Sequence, residues 1–187
     1  MNAYPELPLL PYMRTSVSMA EAVDGLAALP FPAEVKRAAC VIFRIESGNG
    51  KAGVHHNYIG AQADGARWPA RLDPLFKGVI IAPENTTGRE RIFLAFGGVG
   101  DCLAFLCDRV QARGLYIGGR TQPVAPMQVT TVRDLARAYQ KEWVTGNASA
   151  EPGAGAINDF ISMYGQAEAL FPAKEAAPVP PGRQRSG

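Results

Sequence analysis

The chain has 187 residues, of which 47% are hydrophobic and 19% are charged. This length fits one domain with a flexible appendage, and the apolar content is sufficient for a core, which excludes a globally disordered chain. The net charge is +2 and the basic residues are scattered. Nucleic acid is therefore not an expected partner, because a phosphate-binding groove needs clustered basic residues.

The positions of proline, glycine and apolar residues predict the elements of the N-terminal half, which are an extended arm, two helices and an irregular loop. Residues 1–15 contain three prolines and no periodicity, which indicates an extended arm. A helix is expected over 16–28 with Ser16 or Ser18 as its N-cap, and a second over 33–47 that Gly48 ends. Residues 49–76 are expected to be irregular.

The second half predicts one small hairpin followed by helices. The β-favouring runs 78–82 and 91–96 flank an Asn/Gly turn at 85–88, which is typical of a hairpin. The later elements, in chain order, are a helix over 102–113 capped by Asp101, a loop over 115–129, a helix over 131–143 opened by a Thr131/Asp134 capping box, a helix over 156–170, and a Pro-rich flexible tail over 172–187. The expected fold class is α+β, mainly α, with the main domain over 16–171.

Neither end of the sequence predicts membrane association. The opening Met-Asn-Ala-Tyr-Pro-Glu-Leu-Pro lacks the basic and apolar segments of a secretory signal. No stretch approaches the ~20 apolar residues of a membrane span. We expect synthesis in the cytoplasm without a membrane span.

Glu46 is the residue whose position most clearly predicts chemistry. The residues three, four and seven positions before it are Phe43, Ile42 and Ala39, so Glu46 lies on the apolar face at the C-terminal end of its helix. Desolvation and the negative end of the helix dipole both raise the pKa of a carboxyl there, as a glycosidase general acid requires. The alternative is a side chain that reaches past the helix end into water.

Two segments around Glu46 resemble a known active-site region. Glu46-Ser-Gly is followed by Asn57-Tyr-Ile-Gly-Ala-Gln62, and Phe96-Gly-Gly-Val-Gly-Asp opens the helix after the hairpin. This arrangement, over about residues 33–145, resembles the lysozyme-like glucosaminidases and lytic transglycosylases. In that family a helix ends in Glu-Ser-Gly and an Asn-aromatic segment follows in the cleft. The residues 55–56 (His-His) and 64–68 (Asp-Gly-Ala-Arg-Trp) depart from the family pattern.

The resemblance implies a lysozyme-like helical domain that cleaves the β-1,4 bond between N-acetylmuramic acid and N-acetylglucosamine in peptidoglycan. Glu46 would be the general acid/base. The expected substrate-binding residues are Asn57, Tyr58, Gln62, Trp68 and Tyr139. Aromatic faces and amides suit sugar rings at Tyr58, Gln62 and Trp68, whereas Asn57 and Tyr139 are implied by the resemblance. For the aromatic residues, a place in the core is the alternative.

A hydrolase of this kind also needs a second carboxylate, about 5–9.5 Å from the first. Asp64 is the nearest candidate in sequence, and Asp73, Glu84 and Glu90 are others. If none of them serves, a lytic transglycosylase is the expected class, because there the substrate's own hydroxyl attacks.

We expect no metal and no cofactor. The adjacent His55 and His56 point apart in a loop, and no nearby ligand completes a set. Cys40, Cys102 and Cys107 lie in apolar runs, which predicts buried, reduced thiols.

The expected setting is a bacteriophage endolysin or virion-associated lysin that acts at the cell wall or periplasm, with bacterial cargo of a secretion machine as the second option. The competing hypothesis is a non-catalytic structural or adaptor protein on the same scaffold. Its partners would be phage or secretion-machine proteins that contact the Pro-rich ends.

Overall fold

The structure, a computed structural model, describes residues 1–84 and 88–173. Its α-helices are α1 (Met19–Ala28), α2 (Ala33–Glu46), α3 (Val99–Ala112), α4 (Val132–Tyr139) and α5 (Ala154–Leu170). A 3-10 helix spans Ala70–Leu75, and a π-helical segment, Gln140–Thr145, continues α4. Most of the predicted turn (85–87) and of the predicted tail (174–187) lies outside the described residues.

Helix α2 is the centre of the core. Its residues from Ala38 to Phe43 are all buried, and α2 contacts α1, α3 and α5. Full burial of a large apolar side chain such as Phe43 contributes about 1.5–3 kcal/mol, so the apolar run itself fixes α2 in the middle of the molecule. The last residue of this central helix is Glu46.

The helix ends confirm most of the predicted caps. Ser18 caps α1 in a capping box with Glu21, and Thr131 caps α4 in a capping box with Asp134. The predicted Asp101 cap is wrong. Helix α3 starts earlier, with Gly98 as its N-cap, and Asp101 lies in its first turn.

The chain is α+β, but its strands form more than the single predicted hairpin. Strands β3 (Phe76–Pro83) and β4 (Glu90–Phe96) pair antiparallel and confirm that hairpin. Two further antiparallel pairs correct the prediction: β1 (Arg14–Thr15) with β2 (Gly53–Val54), and β5 (Arg120–Thr121) with β6 (Met127–Gln128). Each of these strands has two residues, which is too short for an alternating pattern to be visible.

The N-terminal arm packs along the hairpin. The Leu10 amide donates to the Val79 carbonyl at 2.8 Å, and the Val79 amide donates to the Pro8 carbonyl at 2.9 Å. Tyr4 of the arm is buried and meets the ring of Phe76 edge to face. The arm thus covers the edge of β3, and β1 at its end pairs with β2 in the loop that follows α2.

Candidate functional site

A cleft of about 1110 Å³ opens where the C-terminal end of α2 meets the loop that follows it. Its walls come from the N-terminal arm, the 51–62 loop, the β3–β4 hairpin, the C-terminal half of α3 and the π-helical segment. Five elements distant in sequence therefore share one concave surface, which is the usual form of a ligand site.

Glu46 lies in this cleft, and its carboxyl group is largely shielded from water. The Tyr139 hydroxyl donates to Glu46 Oε1 at 2.5 Å. Burial raises the pKa of Glu46 above its usual range, while hydrogen bonds from Tyr139 and, second, Trp143 oppose that rise. The net direction is upward, so the proton is held more tightly than on a solvated glutamate.

A tight turn fixes where α2 stops. The Ser47 hydroxyl donates to the Phe43 carbonyl at 2.5 Å and accepts from the Gly50 amide at 2.7 Å. Gly50 has φ +83°, and a Cβ there would lie 2.2 Å from the Val17 carbonyl oxygen, so only glycine fits. Ser47 therefore closes the helix directly after the carboxylate, and Gly48, with φ +56°, takes the left-handed conformation that follows such a helix end.

The partners of Glu46 come from the junction of α4 and the π-helical segment. Tyr139 ends α4, is buried, and packs on Phe160 of α5 at a ring-centroid distance of 5.7 Å. Trp143 follows in the π-helical segment and lines the cleft. Such π-helical insertions often occur at functional sites, because they change which face a side chain occupies.

Asn57, expected to bind substrate, lines the cleft, and its side-chain amide is hydrogen-bonded within the protein. Its amide nitrogen donates to the carbonyls of Ala61 (2.9 Å) and Leu94 (2.8 Å). Its carbonyl oxygen accepts from the amides of Ala61 (3.0 Å) and Ile59 (3.4 Å). Both donors and both acceptor positions are thereby occupied, so Asn57 positions the cleft loop against β4.

Tyr58 lines the cleft but is only 1% exposed. Its ring packs on Phe43 of α2 at a centroid distance of 5.4 Å and against Gly53, where a Cβ would meet the ring at 2.4 Å. Tyr58 therefore forms the floor of the cleft and supports the end of α2.

Gln62 and Trp68 both line the cleft and are partly exposed. The Trp68 indole N–H donates to the Gln62 backbone carbonyl at 2.9 Å, and its ring meets Phe105 edge to face. The Gln62 side-chain oxygen accepts from Arg91 at 2.7 Å. Of the predicted sugar-contacting residues, these two lie most openly at the wall.

Asp64 as a second catalytic carboxylate is not supported by its position. Arg91 donates to both of its oxygens, at 2.5 Å and 3.1 Å, and this ion pair lowers the pKa of Asp64. Asp64 is not among the residues that line the cleft, whereas Glu84 is. Glu84 also pairs with Arg91, at 3.4 Å.

Several cleft residues were not predicted from the sequence. Tyr12 of the N-terminal arm presents a 55% exposed ring to the cleft. Arg109 of α3, Arg113 at the C-cap of α3 and Trp143 of the π-helical segment also line it. Arg109 follows the apolar Cys102, Phe105 and Leu106 at helical spacing, a sign of a buried cation that the sequence does carry.

The cysteine prediction is confirmed, since all three thiols are buried and none forms a disulfide. Burial raises the pKa of Cys40 to about 11, and that of Cys102 and of Cys107 to about 12. Across residues 1–84 and 88–173, we find no group of three or more His, Cys, Asp or Glu residues placed to bind a metal. Over the same residues, no helix is both long and apolar enough to cross a membrane.

No protein-family model, curated protein or solved structure matches this chain significantly.

Proposed function

We propose that this protein is a lysozyme-like glycosidase that cleaves the β-1,4 glycan backbone of peptidoglycan, with Glu46 as the general acid/base. The observation that carries the proposal is a single carboxyl group, mostly buried and with a raised pKa, that faces a large cleft. General acid catalysis of glycoside cleavage needs a carboxyl group that is still protonated when the substrate arrives.

Glu46 would act in two steps. The protonated carboxyl donates its proton to the glycosidic oxygen as the bond to the anomeric carbon breaks, which leaves a carboxylate. Hydrogen bonds from Tyr139 and Trp143 then stabilise that carboxylate. The carboxylate next removes a proton from the attacking hydroxyl, and the acid is restored.

The second carboxylate distinguishes the two reaction classes. Among the described residues, Glu84 is the second acidic residue of the cleft wall, and it forms an ion pair with Arg91. If Glu84 takes part, the reaction is hydrolysis. If it does not, the substrate's own hydroxyl is the nucleophile and the product carries an anhydro end.

The test compares wild type with Glu46→Gln on purified peptidoglycan, with Glu168→Gln as the matched control. Glu168 is an exposed residue of α5, away from the cleft. We expect Glu46→Gln to lose about 10²–10⁴-fold in cleavage rate, the usual contribution of a general acid, and Glu168→Gln to lose nothing. Cleavage unchanged in Glu46→Gln refutes the mechanism, and a wild type that cleaves nothing favours the non-catalytic scaffold.

Glu84→Gln and mass spectrometry of the released fragments complete the test. Loss of activity in Glu84→Gln together with reducing ends identifies a hydrolase. Full activity in Glu84→Gln together with anhydro ends identifies a transglycosylase.

A further inference from the structure

The charge of the cleft is the observation that extends the proposed function. Its charged lining residues are Arg14, Lys51, Arg109 and Arg113 on the basic side, and Glu46 and Glu84 on the acidic side. Basic residues therefore outnumber acidic ones in this lining, and one of the two acidic residues, Glu84, is already paired with Arg91. A ligand in the cleft therefore meets an excess of positive charge, although the whole chain is only weakly basic.

Of the two shielded arginines of the cleft wall, Arg109 and Arg113, Arg113 has the weaker compensation of its charge. One of its guanidinium N–H groups donates to the Glu142 backbone carbonyl, and no residue of the described part of the chain forms a salt bridge with it. The Glu142 carboxylate acts on Arg113 from nearby without forming a salt bridge with it, and its Oε1 accepts from the amides of Val124 (3.0 Å) and Ala125 (2.8 Å). Burial lowers the pKa of Arg113, but an arginine remains charged at any ordinary pH. A half-buried, unpaired guanidinium is costly and is stabilised by any anion that reaches it.

Arg109 lies one helical turn earlier on the same face of α3 and is better compensated. It pairs with the adjacent Asp108, which also accepts from Arg71 at 3.0 Å. Two arginines thus share one carboxylate, and this cluster keeps a net positive charge at the cleft wall.

Both arginines lie over tryptophans of the cleft. The Arg113 guanidinium carbon is 5.6 Å from the centre of the Trp143 ring, and that of Arg109 is 5.7 Å from the Trp68 ring. A cation–π contact of this kind attracts the guanidinium to the ring face, and the planar guanidinium suits recognition of a carboxylate. Arg113, Trp143 and Glu46 line the same cleft, so the arginine and the proposed acid face one ligand.

We propose that Arg113, supported by Arg109, forms a subsite for a carboxylate carried by the glycan, so that the cleft selects acidic strands over neutral ones. This inference depends on the proposed function for the kind of ligand. In peptidoglycan, such a carboxylate lies on the lactyl group of muramic acid where the peptide is removed, or on the peptide where it is present. The two sources share the same chemistry, and the experiment separates them.

The experiment measures dissociation constants by calorimetry with the Glu46→Gln variant, so that ligands are not cleaved. The ligands are a neutral chitooligosaccharide, peptide-free peptidoglycan strands of the same sugar number, and peptide-bearing strands. We expect the acidic strands to bind more tightly than the neutral one. Adding Arg113→Gln should weaken acidic binding roughly ten- to a hundredfold, the scale of a charged hydrogen bond, and leave neutral binding unchanged.

Two further variants keep the result interpretable. Arg133→Gln removes the same charge from an exposed position of α4 outside the cleft and should change nothing. Arg113→Lys keeps the charge but not the planar fork, and should give an intermediate affinity. If thermal unfolding shows that Arg113→Gln does not fold, two other measurements replace it. These are the affinity of Arg113→Lys for acidic strands and the dependence of that affinity on salt concentration.

A carboxylate subsite is overturned if Arg113→Gln weakens neutral and acidic ligands equally, since Arg113 would then only shape the cleft. It is also overturned if a single-stranded DNA oligonucleotide binds more tightly than the acidic strands through Arg113. Loss restricted to peptide-bearing strands supports the subsite and assigns the carboxylate to the peptide. Binding and cleavage are measured separately. A negative result for the Arg113 subsite therefore does not change the conclusion on Glu46, and a negative result for Glu46 does not change the conclusion on Arg113.

Discussion

Removal of one hydroxyl group tests the link between Glu46 and Tyr139. In Tyr139→Phe the ring still packs on Phe160, and only the O–H that donates to Glu46 Oε1 at 2.5 Å is lost. That hydrogen bond favours the carboxylate form of Glu46, so its loss raises the pKa of Glu46 beyond the already raised value. A hydrogen bond to a charged group contributes about 1.5–3 kcal/mol, which sets the size of the effect.

The sign of the stability change follows from linkage. A carboxyl group whose folded pKa is raised costs stability as the pH increases from the usual glutamate pKa of 4.5 through its folded pKa. In the variant this loss continues to a higher pH. The difference in the free energy of unfolding between variant and wild type should therefore widen by about 1.5–3 kcal/mol from the acidic limit, where Glu46 is neutral in both, to the alkaline limit, where it is charged in both.

Two assays measure the effect. Urea unfolding at several pH values gives the stability difference, and the cleavage rate against pH gives the titration of the acid. In the variant the alkaline limb of the rate profile should move to higher pH, because that limb reports the general acid. Tyr116→Phe, which removes a hydroxyl outside the cleft wall, is the control and should leave the limb in place. An alkaline limb that stays fixed or moves to lower pH in Tyr139→Phe contradicts the assignment of Glu46 as the acid.

Two further predictions concern groups outside the proposed mechanism. Asp64→Asn should leave the cleavage rate unchanged but reduce the free energy of unfolding at neutral pH. Because the ion pair with Arg91 lowers the pKa of Asp64, this stability difference should be present above the usual aspartate pKa of 3.8. It should disappear as the pH falls through the lower, folded pKa. A cleavage rate that falls with Asp64→Asn would show that Asp64 takes part in the reaction. The three cysteines should resist iodoacetamide in the native protein at neutral pH, because burial raises the pKa of each thiol to about 11 or 12, and rapid labelling without unfolding would contradict their burial.

The sequence predicted the position of Glu46 for a reason that is local. The residues before it on the helix are apolar, and that pattern is sufficient to place its carboxyl group beside the core. Its partner Tyr139 is 93 residues away and was expected in the cleft only from the resemblance. Periodicity describes one helix at a time, so it cannot show which distant side chain meets the carboxylate.

Other parts of the cleft were missed because their signals are short or absent. Trp143 follows α4 in the π-helical segment, where the usual 3.6-residue period no longer tells which face a residue occupies. Tyr12 lies in a segment with no periodicity, and its place depends on the pairing of the arm with β3 and β2. The same stepwise test that placed Glu46 would have identified Arg109 as a cation on an apolar helix face.

The two proposed roles in the cleft have separate physical origins, which is why single substitutions can distinguish them. The raised pKa of Glu46 is caused mainly by burial and is opposed by hydrogen bonds from Tyr139 and Trp143. The charges that act on Arg113 are those of Glu142 and Arg109. Removing the guanidinium should therefore change the choice of ligand with little effect on the proton of Glu46. If the alkaline limb of the rate profile moved in Arg113→Gln as far as in Tyr139→Phe, the acid and the anion subsite would be one coupled unit.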